Sequence, residues 1–328
     1  MGKKMLKVAL IGGVTSTLEV LNGLSRHNFS KVDVYGYEPS AGKVVSGFVS
    51  LRGYSEKNNY GYIGFTRIND LAEKIAQASY DYIFVVGLSQ LVSDVIIKSA
   101  RIGCIGFHPT KLPFSRGRAP IAWLILNETE GAATFFQIKP GEGVDAGPIL
   151  GQSVFSVDRE HDTAATVEKK ILKHISIVLD QWLPHLWTGC WKTIEQDHRF
   201  VTEYGIRKPE DGFVDWQLTS ELISKQIRAA MSPHPGAFAF IGSDLFEIWW
   251  VNKPTVFNIR GVVGRILKKE SDQYLIQTGD GCIWIKTNYE LRVGQQLGVS
   301  SPYSLYKQEK KLAELEQKIN LLMNKALK

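Results

Sequence analysis

The 328-residue chain is 44 % hydrophobic and 11 % aromatic, which excludes an intrinsically disordered protein and leaves room for two ordinary domains. A net charge of +6 favours anionic partners such as nucleotides, phosphorylated ligands or RNA, although part of the excess sits on the lysine-rich stretch 307–328. Cys104, Cys190 and Cys282 have no paired spacing, which argues against a disulfide framework or a zinc site, suits a reducing compartment, and reads as three small core residues.

The opening Met-Gly-Lys-Lys-Met-Leu-Lys-Val-Ala-Leu-Ile-Gly-Gly has an apolar run too short for a signal peptide and is read as a first buried strand. No run approaches the roughly 20 apolar residues of a spanning helix, so a cytoplasmic protein without a membrane partner is expected. Along the first 150 residues, apolar runs at Lys7–Ile11, Lys31–Tyr37, Tyr80–Gly87 and Gly103–Phe107 predict strands. Amphipathic runs at Thr15–His27, Ile68–Ala78, Leu91–Ala100 and Ala119–Asn127 predict helices, the last opened by Pro120. Strand and helix in alternation imply an α/β fold with a mostly parallel sheet and helices on both faces. Strands at Gly131–Ile138 and Gly151–Val157 follow, and then a long helix at Thr163–Leu186 capped by Asp162 or Thr163.

After Trp191 the texture changes. A turn-rich link at Pro209–Trp216, a helix at Thr219–Ala230 and a break at Pro233–Gly236 precede short alternating runs from Ala237 to Val299, punctuated by Gly-Ser-Asp, Arg-Gly, Gly-Asp-Gly and Val-Gly. That spacing predicts a small antiparallel barrel. The aromatic residues in its strand runs, Trp249, Trp250, Tyr274 and Trp284, read first as core. The final stretch, Leu305–Lys328, aligns Leu312, Leu315, Ile319, Leu322 and Ala326 on one helical face, to dock on its own domain or on a partner helix.

Two glycine- and proline-rich segments carry the candidate chemistry. Ile105-Gly-Phe-His-Pro-Thr-Lys-Leu-Pro-Phe-Ser-Arg-Gly-Arg-Ala-Pro-Ile-Ala-Trp123 sets His108 in a loop just after a strand, where open α/β sheets place their sites. Gly141-Glu-Gly-Val-Asp-Ala-Gly-Pro-Ile-Leu150 delivers one carboxylate, Asp145. A buried carboxylate fixes the tautomer of a neighbouring imidazole and raises its basicity, so the two form a plausible acid/base pair. The first turn, around Gly12, Gly13, Thr15, Ser16 and Thr17, lacks the G-x-G-x-x-G pattern of nicotinamide binding. Its amides and hydroxyls, at a helix N-terminus, suit a phosphate.

His-Pro-Thr-Lys-Leu-Pro-Phe-Ser-Arg-Gly-Arg-Ala-Pro and Gly-Val-Asp-Ala-Gly-Pro-Ile together resemble the 10-formyltetrahydrofolate-dependent formyltransferases, a family that includes methionyl-tRNA, glycinamide ribonucleotide and sugar N-formyltransferases. Asp211-Gly-Phe-Val-Asp-Trp216, Ile227-Arg-Ala229, Pro235-Gly-Ala-Phe238 and Thr278-Gly-Asp-Gly281 resemble the C-terminal module of the tRNA and aminoarabinose enzymes. The resemblance covers about residues 5–300 and implies a Rossmann-like catalytic domain over 1–205 and an OB-like domain over 206–302; the apolar stripe adds a C-terminal helix over 303–328, through which a homo-oligomer is possible. It implies formyl transfer from 10-formyltetrahydrofolate to a primary amine, with no metal.

The family's Asn-x-His…Asp triad matches His108 and Asp145, but the asparagine position is Gly106. Transfer passes through an oxyanion, and losing one donor to such an oxygen costs about 3–4 kcal/mol in barrier. The expectation is that His108, a backbone N–H or the Thr110 hydroxyl takes that role. In the expected mechanism His108 accepts the proton of the attacking ammonium, directly or through water, and returns one to the departing folate nitrogen. The family pattern places folate against Val86, Gly87, Leu88, Ser89, Gln90 and Leu91, and against Lys139, Pro140, Gly141, Glu142, Gly143 and Val144. Arg116 and Arg118 are candidates for pairing with a diphosphate. The amine expected is that of a nucleotide-linked amino sugar in surface-glycan (lipopolysaccharide) biosynthesis. Initiator tRNA is the alternative, and a folate-binding protein without turnover a third reading.

Overall fold

The computed structural model describes residues 5–189, 191–254, 258–298 and 303–326. Cys190, expected in the core, and the side chain of Ala326 lie outside the described residues. The chain divides into two compact units, Met1–Arg207 and Lys208–Lys328.

In the first unit, β1 (Lys7–Gly12), α1 (Thr15–Arg26), β2 (Lys31–Tyr37), α2 (Arg52–Lys57), β3 (Gly61–Phe65), α3 (Ala72–Gln77), β4 (Tyr82–Val85), α4 (Asp94–Ser99) and β5 (Gly103–Thr110) build the alternating half. Then come β6 (Arg116–Gly117), α5 (Pro120–Asn127), β7 (Gly131–Ile138), β8 (Ile149–Phe155), α6 (Ala164–Leu186) and β9 (Glu203–Tyr204). Seven strands form one sheet in the order β3-β2-β1-β4-β5-β7-β8. The first five are parallel, and β7 and β8 run antiparallel beside them.

Both faces of the sheet are covered because its strands are apolar on both sides. Ala9, Ile11, Ile83 and Cys104 pack with Ile75 of α3 and Ile96 of α4. From the other face Phe84 and Phe135 meet Trp182 of α6, with ring centroids 6.0 and 5.3 Å apart. Thr163 caps α6 by accepting the Thr166 N–H, and the Thr166 hydroxyl reaches back to accept the Thr163 N–H at 2.8 Å. The helix expected over Leu91–Ala100 starts only at Asp94, since Ser93 holds the extended conformation of a cap.

The second unit comprises α7 (Ser220–Ala230), β10 (Ala237–Ile241), β11 (Asp244–Ile248), β12 (Trp250–Asn252), β13 (Ile266–Glu270), β14 (Gln273–Gln277), β15 (Cys282–Lys286) and α8 (Tyr303–Ala326). Its strands are antiparallel, as a two-stranded β10-β11 ribbon and a four-stranded sheet in the order β12-β15-β14-β13. Among the described residues no ladder joins the two into one closed barrel. Their inner faces share a core with α7 through Trp216, Ile223, Ile227, Phe246, Ile276 and Ile285. Tyr274 belongs to that core, but Trp249 does not, being 47 % exposed. Among the described residues no helix is long and apolar enough to cross a membrane.

Candidate active site

His108 lies on a strand and not, as expected, in the loop after it. β5 runs on to Thr110 because β7 continues to pair with it, His108 opposite Thr134, with an irregularity in register between His108 and Thr110. The imidazole is 5 % exposed and its Nδ1 stands 3.3 Å from Asp145 Oδ2. Nε2 lies 2.9 Å from the Ser115 carbonyl oxygen. Both neighbours are acceptors, so the ring satisfies both only when each nitrogen carries a proton.

Three non-glycine residues around the imidazole adopt left-handed backbone: Ser115 at φ 57°, Ala119 at φ 51° and Asp145 at φ 55°. Such conformations cost of order 1–3 kcal/mol and persist only where the surroundings hold them, a pattern that concentrates at functional sites. The holding contacts are identifiable. The Ser115 N–H donates to Thr202 Oγ1 at 2.8 Å, and the Gly117 N–H donates to Asp145 Oδ2 at 3.0 Å. Gln196 Nε2 donates to the carbonyls of Asp145 and Gly147 at 2.8 and 2.6 Å, while its Oε1 accepts from Arg116 Nη2 at 2.6 Å.

Arg116 is therefore turned inward, away from the diphosphate contact expected of it. It is 5 % exposed, its guanidinium is occupied by Gln196, and burial pushes its pKa down, against the opposing pull of Glu203 and Asp145. Thr110 is buried as well, its hydroxyl donating to the Phe114 carbonyl at 2.9 Å. Neither lines the cavity in front of His108.

That cavity, of about 720 Å³, is bounded by Gly106, His108 and Asp145, by Gly87 to Leu91, by Lys139, by Gly141 to Val144, and by Arg118. Of the expected folate-side residues, Val86 and Pro140 are not on its wall. Val86 is fully buried, with its N–H donated to Ile11 and its carbonyl accepting from Thr17. In the first turn Val14 and Ser16 reach the cavity, and Gly12, Gly13, Thr15 and Thr17 do not. Thr17 Oγ1 donates to Val86 O at 2.8 Å and accepts from the amides of Gly13 and Val14. Thr15 donates to Glu168 at 2.6 Å, and a Cβ at Gly12 would strike Val86 and Thr17. The hydroxyls of Thr15 and Thr17, expected to hold a phosphate, hold the fold instead.

The sequence reading missed two cations on the wall, Lys43 and Arg207. Arg207 lies over the Trp123 ring, 5.6 Å from its centroid, and Trp123 stacks on Tyr204 with centroids 5.0 Å apart. It also missed Phe136, the register partner of Gly106. A Cβ on Gly106 would come 2.5 Å from Phe136 Cζ and 3.0 Å from Ile138 Cγ1, so the space a side chain at 106 would take is filled by that ring.

The geometry joins an imidazole, an acid and a deep cavity with cations on its rim, a combination suited to proton transfer on an anionic substrate. Comparison with known proteins agrees in kind. A WlaRD structure, a sugar 3N-formyl transferase with dTDP and 5-N-formyl-THF, superposes with a TM-score of 0.64 at 19 % identity, over 88 % of this chain and 100 % of that one. The Helicobacter canadensis N-formyltransferase in complex with folinic acid and dTDP-3-aminofucose gives 0.66 at 18 %, over 87 % and 100 %. The methionyl-tRNA formyltransferase from Clostridium thermocellum gives 0.52 at 19 %, over 76 % and 94 %. Family models for the formyl transferase domain and the formyl transferase C-terminal domain match residues 58–183 and 207–300, together about two thirds of the chain, and the protein thus belongs to the formyl transferase family.

Proposed function

We propose that this formyltransferase moves a formyl group from 10-formyltetrahydrofolate to the primary amine of a nucleotide-linked amino sugar, with His108 and Asp145 as its catalytic pair. The observation that carries the reading is the His108–Asp145 contact at 3.3 Å on the wall of a cavity of about 720 Å³. Phe107, Phe136 and Ile138 supply an apolar floor suited to a flat heteroaromatic ring. The glycine-rich segments 87–91 and 141–144 supply backbone amides and carbonyls for its polar edge. When bound, the folate supplies the activated one-carbon unit.

His108 acts as the proton shuttle. Held between Ser115 O and Asp145, the ring takes a proton from the attacking amine and gives one to the leaving folate nitrogen. Its positive charge stabilises developing negative charge nearby, the part the missing side chain at 106 cannot play. Asp145 keeps the ring in register and is itself fixed by the Gly117 amide. Lys43, Arg118 and Arg207 place positive charge where a diphosphate would lie, which favours a nucleotide-linked amine. A cytoplasmic location would give access to both substrates.

The test uses 10-formyltetrahydrofolate with a panel of nucleotide-linked amino sugars and charged initiator tRNA, read as amine-dependent release of tetrahydrofolate. Release with an amino sugar and its loss in His108→Ala are expected. Wild-type turnover in His108→Ala would end the mechanism, and formylation of tRNA alone would end the substrate assignment.

A further inference from the structure

The helix α8 meets its own unit at its start, where the Tyr306 ring meets Phe240 edge-on with centroids 5.9 Å apart and Lys307 Nζ lies 3.5 Å from Glu210. From Lys307 to Asn320, and at Leu322 and Met323, every residue is exposed. Leu305, Leu312, Leu315, Ile319 and Leu322 are between 46 % and 66 % exposed. Leaving such a row in water is unfavourable, and among the described residues nothing covers it.

We propose that α8 is a dimerisation helix, pairing in parallel with the same helix of a second copy of this chain as a two-stranded coiled coil. The apolar residues follow one another at intervals of 7, 3, 4 and 3, the a and d positions of a heptad. They form a narrow seam and not the broad apolar face of a helix lying on a membrane. In this register Leu305, Leu312 and Ile319 take a positions, and Gln308, Leu315 and Leu322 take d. The one polar seam residue, Gln308, favours a single alignment, because shifting the helices would set it against leucine.

The flanking charges choose the partner and the direction. Lys311 and Lys318 occupy g positions, and Glu309 and Glu316 occupy e. In a parallel pair g faces the e position of the next heptad, so Lys311 meets Glu316 of the second copy, twice by symmetry. An antiparallel pair would set lysine against lysine and glutamate against glutamate. Glutamates at 309, 314 and 316 also interrupt the basic face that an anionic lipid surface would select.

Sedimentation equilibrium of the full chain at micromolar concentration is expected to give a dimer, and Leu315→Glu a folded monomer, since position 315 is exposed and helical. Lys311→Glu or Glu316→Lys alone should each weaken dimerisation roughly tenfold, two attractive contacts becoming repulsive, while the double exchange restores it. Gln308→Cys should form a dimer-linking disulfide under mild oxidation, as identical d positions meet only in a parallel pair. A monomeric wild-type chain, a dimer indifferent to Leu315→Glu, no restoration by the double exchange, or a monomer that sediments with phosphatidylserine vesicles would each overturn the proposal.

Discussion

Introducing asparagine at position 106 tests the most unusual feature of the site. Gly106 sits in β5 directly opposite Phe136 of β7, and a Cβ there would approach Phe136 Cζ to 2.5 Å, Phe136 Cε1 to 2.9 Å and Ile138 Cγ1 to 3.0 Å. Phe136 is itself only 4 % exposed, so its ring has little room to retreat. Overpacking of this kind costs about 1–3 kcal/mol, and an asparagine amide left without partners adds about 1–3 kcal/mol more. Gly106→Asn should therefore lose roughly 2–6 kcal/mol in urea unfolding, a large share of an ordinary domain's stability.

Phe136→Val removes the ring atoms that collide, so the losses of the two variants should not add. The double variant should be more stable than their sum by at least about 1 kcal/mol, the mark of residues in contact. If the glycine has replaced a side-chain donor, the same double variant should also turn over faster than Phe136→Val alone. A Gly106→Asn protein as stable as wild type, or losses that add, would refute the packing argument.

Removal of Arg116 separates a strut from a substrate contact. Arg116→Ala strips Gln196 of a buried charged donor and should cost about 2–3 kcal/mol in stability, with the KM for the nucleotide-linked amine unchanged; a raised KM at undiminished stability would refute the assignment. His174 should impose a pH dependence, because burial and then the neighbouring Lys173 lower its pKa from 6.5. The unfolded chain then binds the proton more readily than the folded one, so this contribution is complete above pH 6.5 and is lost as pH falls below it through the lowered folded value. Urea midpoints measured across that range should show a fall that His174→Gln flattens, and an equal slope in both proteins would count against the reasoning.

Much of the architecture was legible because the informative signals are local. Lys31–Tyr37 and Gly131–Ile138 read as strands from their mainly apolar runs, and they fold with those bounds. Thr163 and Thr219 announce helix starts by hydroxyls that accept the N–H three residues on. Gly61–Phe65 escaped notice because two glycines in five residues erase the β pattern, and Arg52–Lys57 because one and a half turns show no periodicity. His108 and Asp145 could be paired from loop chemistry alone. The inward turn of Arg116 could not, since its partner Gln196 lies eighty residues away and nothing near either residue marks the contact. Lys43 and Arg207 belong to no motif, and only the folded chain brings them to the cavity.

The local strain and the long-range contacts explain one another. A left-handed Asp145 would relax to an ordinary turn if only its glycine neighbours acted on it, and the imidazole would then lose the oxygen facing Nδ1. Gln196 prevents this by gripping the backbone on either side of the turn, at Asp145 O and Gly147 O, while Arg116 orients Gln196 from behind. Each member of that chain is buried or nearly so, which makes its hydrogen bonds hard to exchange for water. The stability lost to backbone strain at residues 115 and 145 is thus offset by a buried polar network reaching from the segment before β9. An imidazole caught between Ser115 O and Asp145 is a consequence of how that network packs.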